Sequence, residues 1–409
     1  MLLVQNARVA TMTGPQAAPG DGPLALIEDG AVAWQGDRIV YVGPSSGAPP
    51  ADEVIDAQGD LLAPGLVDPH THLVFAGDRA HEHAQRLAGA SYLQIAQAGG
   101  GIRSTVQATR AASTERLLAS ARERLGRMAR AGVTTVEVKT GYGLSVDEEL
   151  RLLRVARELG SGAGVEVLPT LLGLHAVPDD VDRDRWVSLV ARELLPEAAR
   201  QGARGCDAFL EQGAFDARAC RTVLRAGIDA GLTAHLHADQ LTAGGGAQLA
   251  AELGCASADH LEKTSPQGIA ALARAGVTAV LLPLAAWFLR EKPAQARPFL
   301  EAGVTVALGS NLNPGSQRIE SVSMLLAAGC LLAGLTPAQV LWACTAGGAR
   351  ALGLADRGAL KPGLRADLVL FAARDAAHLP YHAGVEHARL VVSAGAVTSG
   401  TPPTAESCT

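Results

Sequence analysis

Eight short apolar runs alternate with helix-like segments between residues 61 and 308, and this alternation constrains the fold more than any other feature. The runs are almost continuously hydrophobic, as expected of parallel strands that are buried on both faces. Alternation of such strands with helices predicts an α/β fold, a (β/α)8 barrel of the TIM type. The predicted strands are Leu61–Val67, Val133–Val138, Val165–Leu171, Cys206–Leu210, Leu232–Leu236, Cys255–Ala258, Val277–Leu282 and Val304–Leu308.

The two ends of the chain have a different pattern. Residues 1–60 contain short strand-like runs punctuated by glycine and proline, and Ala366–Phe371 and Arg389–Ser393 predict two further strands. We therefore expect the termini to combine into one small β-sandwich domain. The predicted domains are the barrel, over residues 61–353, and the composite β-sandwich, over residues 1–60 plus 354–409.

Composition and charge exclude several classes of partner. The chain has 409 residues, 48% of them hydrophobic, and a net charge of -6, so neither nucleic acid nor an anionic membrane is expected to bind. The six cysteines form no Cys-x-x-Cys pair, and Met1–Asn6 lacks the basic start and apolar core of a signal peptide. We expect a cytoplasmic protein in which Thr401–Thr409 is a disordered tail.

A His-x-His pair, His70 and His72, follows the first predicted strand. Residues two apart in a strand point to the same face, so both imidazoles can converge on one point. Two imidazole nitrogens at one point suit a metal ion. The alternative is a chance surface pair, because short motifs have a high false-positive rate.

Polar residues end most of the other predicted strands as well. In a barrel of this type the functional site lies at the carboxyl ends of the strands, so these residues should face one another. Three imidazoles and an open position make a hydrolytic metal site, and the planar guanidinium of Arg79 suits a substrate carboxylate. The strand-end residues are Glu137–Gly143, His175, Glu211, His235–Gln240, Asp259, His260 and Ser310–Ser316.

Several titratable residues have a simpler interpretation. His81 and His83 are expected on a solvated loop or helix start, and His235 deeper in the barrel as a packed, hydrogen-bonded side chain. Lys139 is equally compatible with a barrel salt bridge and with a site residue. The three histidines near the carboxyl terminus are expected to lie far from the barrel face: His378, His382 and His387.

The sequence resembles the imidazolonepropionase family of the amidohydrolase superfamily, in motifs that run from the first strand to beyond the eighth. The first motif, Pro64–His72 (PGLVDPHTH), is similar to the superfamily's first-strand motif, and the others are similar to the imidazolonepropionases themselves. This family opens the ring of 4-imidazolone-5-propanoate to N-formimidoyl-L-glutamate in histidine degradation. The other motifs are His72–Arg79, Ala98–Ile102, Glu137–Gly143, His237–Leu241, Ser257–Leu261 and Asn313–Gly315.

The resemblance implies a role for each matching residue and a homodimer. One zinc or iron ion, divalent or trivalent, would be bound by His70, His72 and His237, with Asn311 at the fourth ligand position. Gln240 would contact the substrate ring, and His260 would polarise its carbonyl or activate water. The residues implied to bind the substrate and its carboxylate are Arg79, Tyr142, His175, Gln240, Asn313, Gly315 and Ser316.

Asn311 departs from the family pattern, which has Asp as metal ligand and proton acceptor at this position. An asparagine side chain cannot accept a proton at neutral pH. Three explanations stay open: an engineered inactive variant, a natural enzyme that uses His260 or another base, and a protein that has lost catalysis. Two other functions compete with imidazolone hydrolysis: binding of the ligand without turnover, and hydrolysis of another small acidic cyclic amide.

Overall fold

The computed structural model describes residues 1–90, 94, 99–162 and 164–400, so the expected tail at Thr401–Thr409 lies outside the described residues. Sixteen strands occur in this part of the chain and form two sheets. The strands, in chain order, are β1 (Leu2–Ala10), β2 (Leu26–Gln35), β3 (Arg38–Pro44), β4 (Glu53–Asp56), β5 (Leu61–Pro64), β6 (Leu66–Asp68), β7 (Val133–Lys139), β8 (Glu166–Leu174), β9 (Gly205–Leu210), β10 (Thr233–Ala238), β11 (Ser257–His260), β12 (Thr278–Leu281), β13 (Val306–Leu308), β14 (Leu368–Phe371), β15 (Ala388–Ser393) and β16 (Ala396–Gly400).

Helices connect strands β6 to β13 and cover the sheet that these strands form. Several of the helices begin with a side chain that accepts a hydrogen bond from a backbone N–H of the first turn. Ser113, Ser145 and Ser265 each accept such a bond from a backbone N–H. The described α-helices are Ala80–Leu87, Ile102–Ala111, Thr114–Arg130, Val146–Leu159, Arg183–Leu189, Leu195–Arg200, Ala217–Asp229, Gly246–Leu253, Pro266–Ala275, Pro283–Leu289, Ala296–Glu301, Val322–Leu331, Pro337–Trp342, Gly348–Ala351 and His378–Tyr381. None of the helices described is both long and apolar enough to cross a bilayer.

The predicted barrel is confirmed: β6 to β13 form one parallel sheet of eight strands in sequence order. Its two edges meet just beyond β6 and β13, where Asn311 N donates to His70 O at 2.9 Å and His72 N to Leu312 O at 2.9 Å. Further down this seam, the side-chain amide of Gln16 bonds both the N–H and the carbonyl of Val306. The seam therefore places the strand-one histidines beside Asn311.

The first predicted strand is wrong in extent, because the apolar run is divided between the two sheets. Leu61–Pro64 pairs with β1 and β14, and only Leu66–Asp68 belongs to the barrel. Gly65 separates the two parts, and a Cβ there would lie 2.2 Å from Thr134 Oγ1, so the crossing requires glycine. Hydrophobicity alone did not distinguish two short strands in different sheets from one long strand.

The other sheet combines both termini, in the order β16-β15-β14-β5-β1-β2-β3, with β4 paired to β1. This single sheet curls over a core of its own, and Trp34 of β2 donates from its indole N–H to the carbonyl of Gly395, beyond β15, at 2.9 Å. That core is separate from the barrel core and includes Val4, Val32, Trp34, Leu368 and Leu390. The exact domain boundaries stay a prediction.

Candidate active site

Four imidazoles converge at the carboxyl ends of β6, β10 and β11. The ring centroids of His70 and His237 are 4.5 Å apart, and His72 lies 5.3 Å from His70 and 5.6 Å from His237. His260 lies on another side of this pair, 5.6 Å from His70 and 5.3 Å from His237. All four side chains are buried.

Among the described residues, one group of potential ligand atoms differs by one residue from the predicted set. Atoms of His70, His237 and His260 all lie within 4.8 Å of one another, with His260 in place of His72. His72 instead stacks on His175, with ring centroids 5.2 Å apart. The structure therefore brings together all three predicted metal-binding imidazoles and adds a fourth one beside them.

Buried carboxylates lie against the inner nitrogens of two of these rings. Asp259 Oδ2 is 2.6 Å from Nδ1 of His70, and Asp207 Oδ2 is 3.0 Å from Nδ1 of His237. Burial, together with nearby positive charge, lowers the pKa of His70 well below its usual value, and burial also lowers that of His237. Both rings are therefore neutral at neutral pH, the form in which imidazole binds a metal ion.

Lys139 is a fully buried cation below this cluster. Its Nζ lies 2.8 Å from Glu137 Oε1, 2.7 Å from Asp207 Oδ2 and 3.6 Å from Asp259 Oδ2. Burial lowers the pKa of Lys139, but these three carboxylates outweigh that effect and raise the pKa above its usual value. The salt-bridge interpretation of Lys139 is therefore confirmed, and two of its three partners, Asp207 and Asp259, also contact His237 and His70.

Asn311 sits in a network of side-chain amides beside His70. Asn313 Oδ1 accepts bonds from the backbone N–H groups of Gly315 and Ser316, both at 2.8 Å. Asn313 Nδ2 then donates to Asn311 Oδ1 at 3.1 Å and to Ser316 Oγ at 2.8 Å. The three substrate-binding candidates after β13 thus form one rigid turn, which orients the side chain of Asn311.

Arg79 approaches that turn from the segment after β6. A Cβ on Gly315 would lie only 2.0 Å from Arg79 Nη1, so a glycine is needed for the guanidinium to reach this position. Glu82 holds the guanidinium, since its Oε2 accepts a bond from Arg79 Nε at 2.8 Å. The other oxygen of Glu82 accepts a bond from the backbone N–H of Gly101 at 3.1 Å, so Glu82 also connects the segment around Gly101 to Arg79.

Tyr142 and His175 line the opposite side of the imidazole cluster. Their ring centroids are 5.2 Å apart, and Tyr142 lies 5.9 Å from His72. The Tyr142 loop is held by the buried carboxylate of Glu149, which accepts bonds from the N–H groups of Gly141 at 2.8 Å and Gly143 at 2.7 Å. Gly141 has φ +108°, and a Cβ there would lie 2.7 Å from His175 Nδ1, so this turn also needs glycine.

Several strand ends that build the site turn through the left-handed region of φ. Asp239 has φ 51°, His260 79°, Leu261 71° and Asn311 53°. Such a conformation is costly for residues other than glycine and is concentrated at functional sites. It occurs here at the ends of β10 and β11 and in the turn after β13, where the side chains converge.

The residues singled out from the sequence do not all lie at the site. The imidazoles, Asn311, the turn after β13, Arg79 and Tyr142 surround one region, whereas Gln240 is half-buried after β10 and enters no hydrogen bond named above. His235 is packed as predicted, with Nδ1 3.0 Å from Ser257 Oγ. His81 is exposed as expected, but His83 is half-buried and stacks on Phe288 with ring centroids 4.4 Å apart.

Sequence reasoning missed the carboxylates that support the site. Asp207 lies in the middle of β9, and Glu82 and Glu149 lie on helices beside the strand ends. The only available signal was an acidic residue inside an otherwise apolar strand, which is unusual for a buried position. Asp259 was identified at a strand end, but its contact with His70 was not predicted.

Comparison with known proteins places this arrangement in a family. The model of the amidohydrolase family matches residues 93–399. The chain is 49% identical over 406 residues to the imidazolonepropionase of Myxococcus xanthus (strain DK1622), covering 97% of this chain and 96% of the relative. The imidazolonepropionase of Geobacillus kaustophilus (strain HTA426) is 44% identical over 412 residues, covering 97% of each chain. The chain belongs to the imidazolonepropionase family.

Solved amidohydrolase-fold structures support the architecture at lower identity. An atrazine chlorohydrolase from Arthrobacter aurescens TC1, complexed with zinc, has a TM-score of 0.71 and 20% identity over 100% of this chain and 97% of its own. A 5-methylcytosine deaminase from Klebsiella pneumoniae has a TM-score of 0.74 and 16% identity, covering 98% of both chains. As an imidazolonepropionase family member, the chain is a hydrolase with a small-molecule substrate.

The imidazolonepropionase family's amidohydrolase membership supports a metal cofactor, and the residues here fit one. Nε2 of His70 is buried without a hydrogen-bond partner in the described part of the chain, while its Nδ1 faces Asp259. An imidazole held at one nitrogen by a carboxylate, with the other nitrogen unpartnered, is the usual state of a metal ligand. Nδ1 of His237 likewise lies 3.0 Å from a carboxylate oxygen of Asp207, although the two atoms do not have hydrogen-bond geometry.

Proposed function

We propose that this chain hydrolyses the cyclic amide of 4-imidazolone-5-propanoate to N-formimidoyl-L-glutamate, in histidine degradation, with one zinc or iron ion bound. The observation that carries the proposal is the pair His70 and His237, whose inner nitrogens face buried carboxylates and whose rings are 4.5 Å apart. Full-length relatives with the name imidazolonepropionase support the substrate.

His70, His72 and His237 would hold the ion, which supplies a polarised ring carbonyl and a water of lowered pKa. Asn311 would be the fourth residue beside the ion, and its side-chain oxygen accepts a bond from the amide of Asn313. His260, whose ring centroid lies 5.3 Å from that of His237, would contact the carbonyl oxygen or the attacking water and would accept the proton that Asn311 cannot take. The water would add to the carbonyl carbon, the ring C–N bond would break, and His260 would pass the accepted proton to the leaving nitrogen.

Arg79 would bind the propionate carboxylate of the substrate. Its guanidinium is charged, lies against Gly315, and is oriented by Glu82. Tyr142, His175, Asn313 and Ser316 would surround the substrate between Arg79 and the imidazoles, and Gln240 would contact its ring. A small carboxylic acid thus fits this site better than an uncharged nucleobase does.

We propose a cytoplasmic homodimer, on the family resemblance and on the sequence pattern described above. The net charge of -6 supports the absence of nucleic acid among its partners.

The direct test is an assay with 4-imidazolone-5-propanoate on protein whose metal content has been measured. We expect loss of the imidazolone absorbance and formation of one formimidoylglutamate for each imidazolone consumed. We also expect a chelator to stop the reaction, and zinc or iron to restore it. Calorimetric binding without turnover, both by this chain and by its Asn311→Asp variant, would contradict the proposal and favour a ligand-binding protein.

A further inference from the structure

Lys139 connects the two sides of the proposed metal site. It is fully buried at the end of β7, and its ammonium lies 2.7 Å from Asp207 and 3.6 Å from Asp259. Each of these carboxylates lies against one imidazole, Asp207 against His237 and Asp259 against His70. A single cation therefore contacts both groups that orient the rings.

The same carboxylates form a second potential cation site. Ligand atoms of Asp207, His237 and Asp259 all lie within 4.8 Å of one another, beside the cluster of imidazoles. Two close buried carboxylates repel each other strongly unless a cation lies between them. In this chain the Lys139 ammonium already provides that positive charge.

Further bonds fix the carboxylates around the ammonium. Asp207 Oδ1 accepts bonds from the backbone N–H groups of Ala208 at 2.7 Å and His237 at 3.2 Å. Asp259 Oδ1 accepts from Ser257 Oγ at 2.6 Å. The remaining oxygen of each carboxylate is thus directed to Lys139 and to one imidazole.

We propose that the Lys139 ammonium is the resident second cation of this centre, and that through Asp207 and Asp259 it positions His237 and His70 to bind a single metal ion. The inference rests on the proposed metal-dependent function. Lys139 is a positioning residue, since it acts only through the two carboxylates. It keeps both inner nitrogens protonated and both outer nitrogens available to the ion.

Metal binding by a Lys139→Met variant tests the proposal. We expect wild-type protein to bind one equivalent of zinc or cobalt(II), and the variant to bind the ion about 10–100-fold more weakly, as loss of a supporting contact usually costs. The visible spectrum of the cobalt(II) form should also change, because the imidazole geometry changes. At saturating metal the variant should regain activity with a lowered kcat and an unchanged KM.

Glu137→Gln is the matched control, because Glu137 contacts the same ammonium but touches neither His70 nor His237 through an interaction described here. The glutamine amide keeps an oxygen that can accept the bond from Lys139 Nζ, so this variant should leave Lys139, Asp207 and Asp259 in place. We expect its metal affinity and cobalt spectrum to stay near those of the wild type.

Nitrogen-15 NMR of the wild-type histidines keeps the proposal testable if Lys139→Met does not fold. We expect Nδ1 to be protonated and Nε2 unprotonated in both His70 and His237 before metal is added. The proposal is overturned by an Nε2-protonated ring at either position, by two equivalents of metal in the wild type, or by a folded Lys139→Met variant with unchanged affinity and spectrum. A wild type that binds no metal would overturn the proposed function itself.

Discussion

The carboxyl end of the barrel and the terminal sheet differ in what they bury. The barrel end buries the side chains of Lys139, Glu137, Asp207 and Asp259 completely. The terminal sheet buries an apolar core, and its ion pairs are partly exposed, as in the 2.6 Å contact of Arg8 with Asp375.

Burying charges costs several kcal/mol per ion unless partners compensate, whereas burying apolar surface stabilises a fold directly. The terminal sheet is therefore explained by folding alone. The barrel end is explained by the chemistry that its charges support. Substitutions at the barrel end should mainly change metal binding and rate, and substitutions in the sheet should mainly change stability.

The largest effect is expected for His237→Gln. Loss of a metal-binding imidazole should lower kcat/KM by more than the ~10–100-fold that loss of a supporting partner costs. Metal analysis and the imidazolone assay measure this, and circular dichroism shows whether the variant is folded. The control is His235→Gln, two residues earlier in β10, which should retain one equivalent of metal. If both variants lost their metal equally, the assignment of His237 as a metal ligand and His235 as a packed side chain would be contradicted.

Asn311→Asp should give the next largest effect, in the opposite direction. A carboxylate restores a proton acceptor beside the site, and general base catalysis typically contributes about 10²–10⁴-fold. We expect kcat to rise by about 10² or more, with tighter metal binding in a chelator competition. An unchanged kcat would show that a carboxylate at position 311 adds no base catalysis beyond that of His260.

Arg79→Met should raise KM for the acidic substrate without changing the metal content. Hydrogen bonds to a charged group contribute about 1.5–3 kcal/mol, which corresponds to roughly 10–100-fold in affinity. Steady-state kinetics beside metal analysis separate the two effects. If the variant loses its metal, or keeps its KM, Arg79 does not bind the substrate carboxylate.

Trp34→Ala should have the smallest effect on catalysis. Trp34 is fully buried in the core of the terminal sheet and bonds Gly395, so its loss should cost about 3–5 kcal/mol of unfolding free energy. The kcat of the folded fraction should be unchanged. Denaturant unfolding and active-site titration check this, and a fall in kcat without a fall in stability would contradict the separation of the two regions.

Local patterns in the sequence predicted the barrel and most of the imidazoles, because both depend on residues close together in the chain. Continuous apolar runs mark buried parallel strands, and a His-x-His pair points to one face of a strand. The division at Gly65 was not predictable in this way, since Leu61–Pro64 and Leu66–Asp68 are equally apolar and belong to different sheets.

The supporting charges were harder to predict because their contacts join distant parts of the chain. Lys139 meets Asp207 and Asp259 only after three alternate strands, β7, β9 and β11, are placed around one barrel. A single charged residue in an apolar run gives no indication of its partner. The closeness of His260 to His70 and His237 likewise depends on the turn that β11 makes at its end, where His260 has φ 79°.

Anomalous diffraction at the metal absorption edge, from crystals of the metal-loaded protein, would locate the ion itself. We expect one peak per chain, about 2.0–2.1 Å from an imidazole nitrogen of both His70 and His237, with no second peak between Asp207 and Asp259. A peak at another place, or one bound by only one of these two histidines, would contradict it.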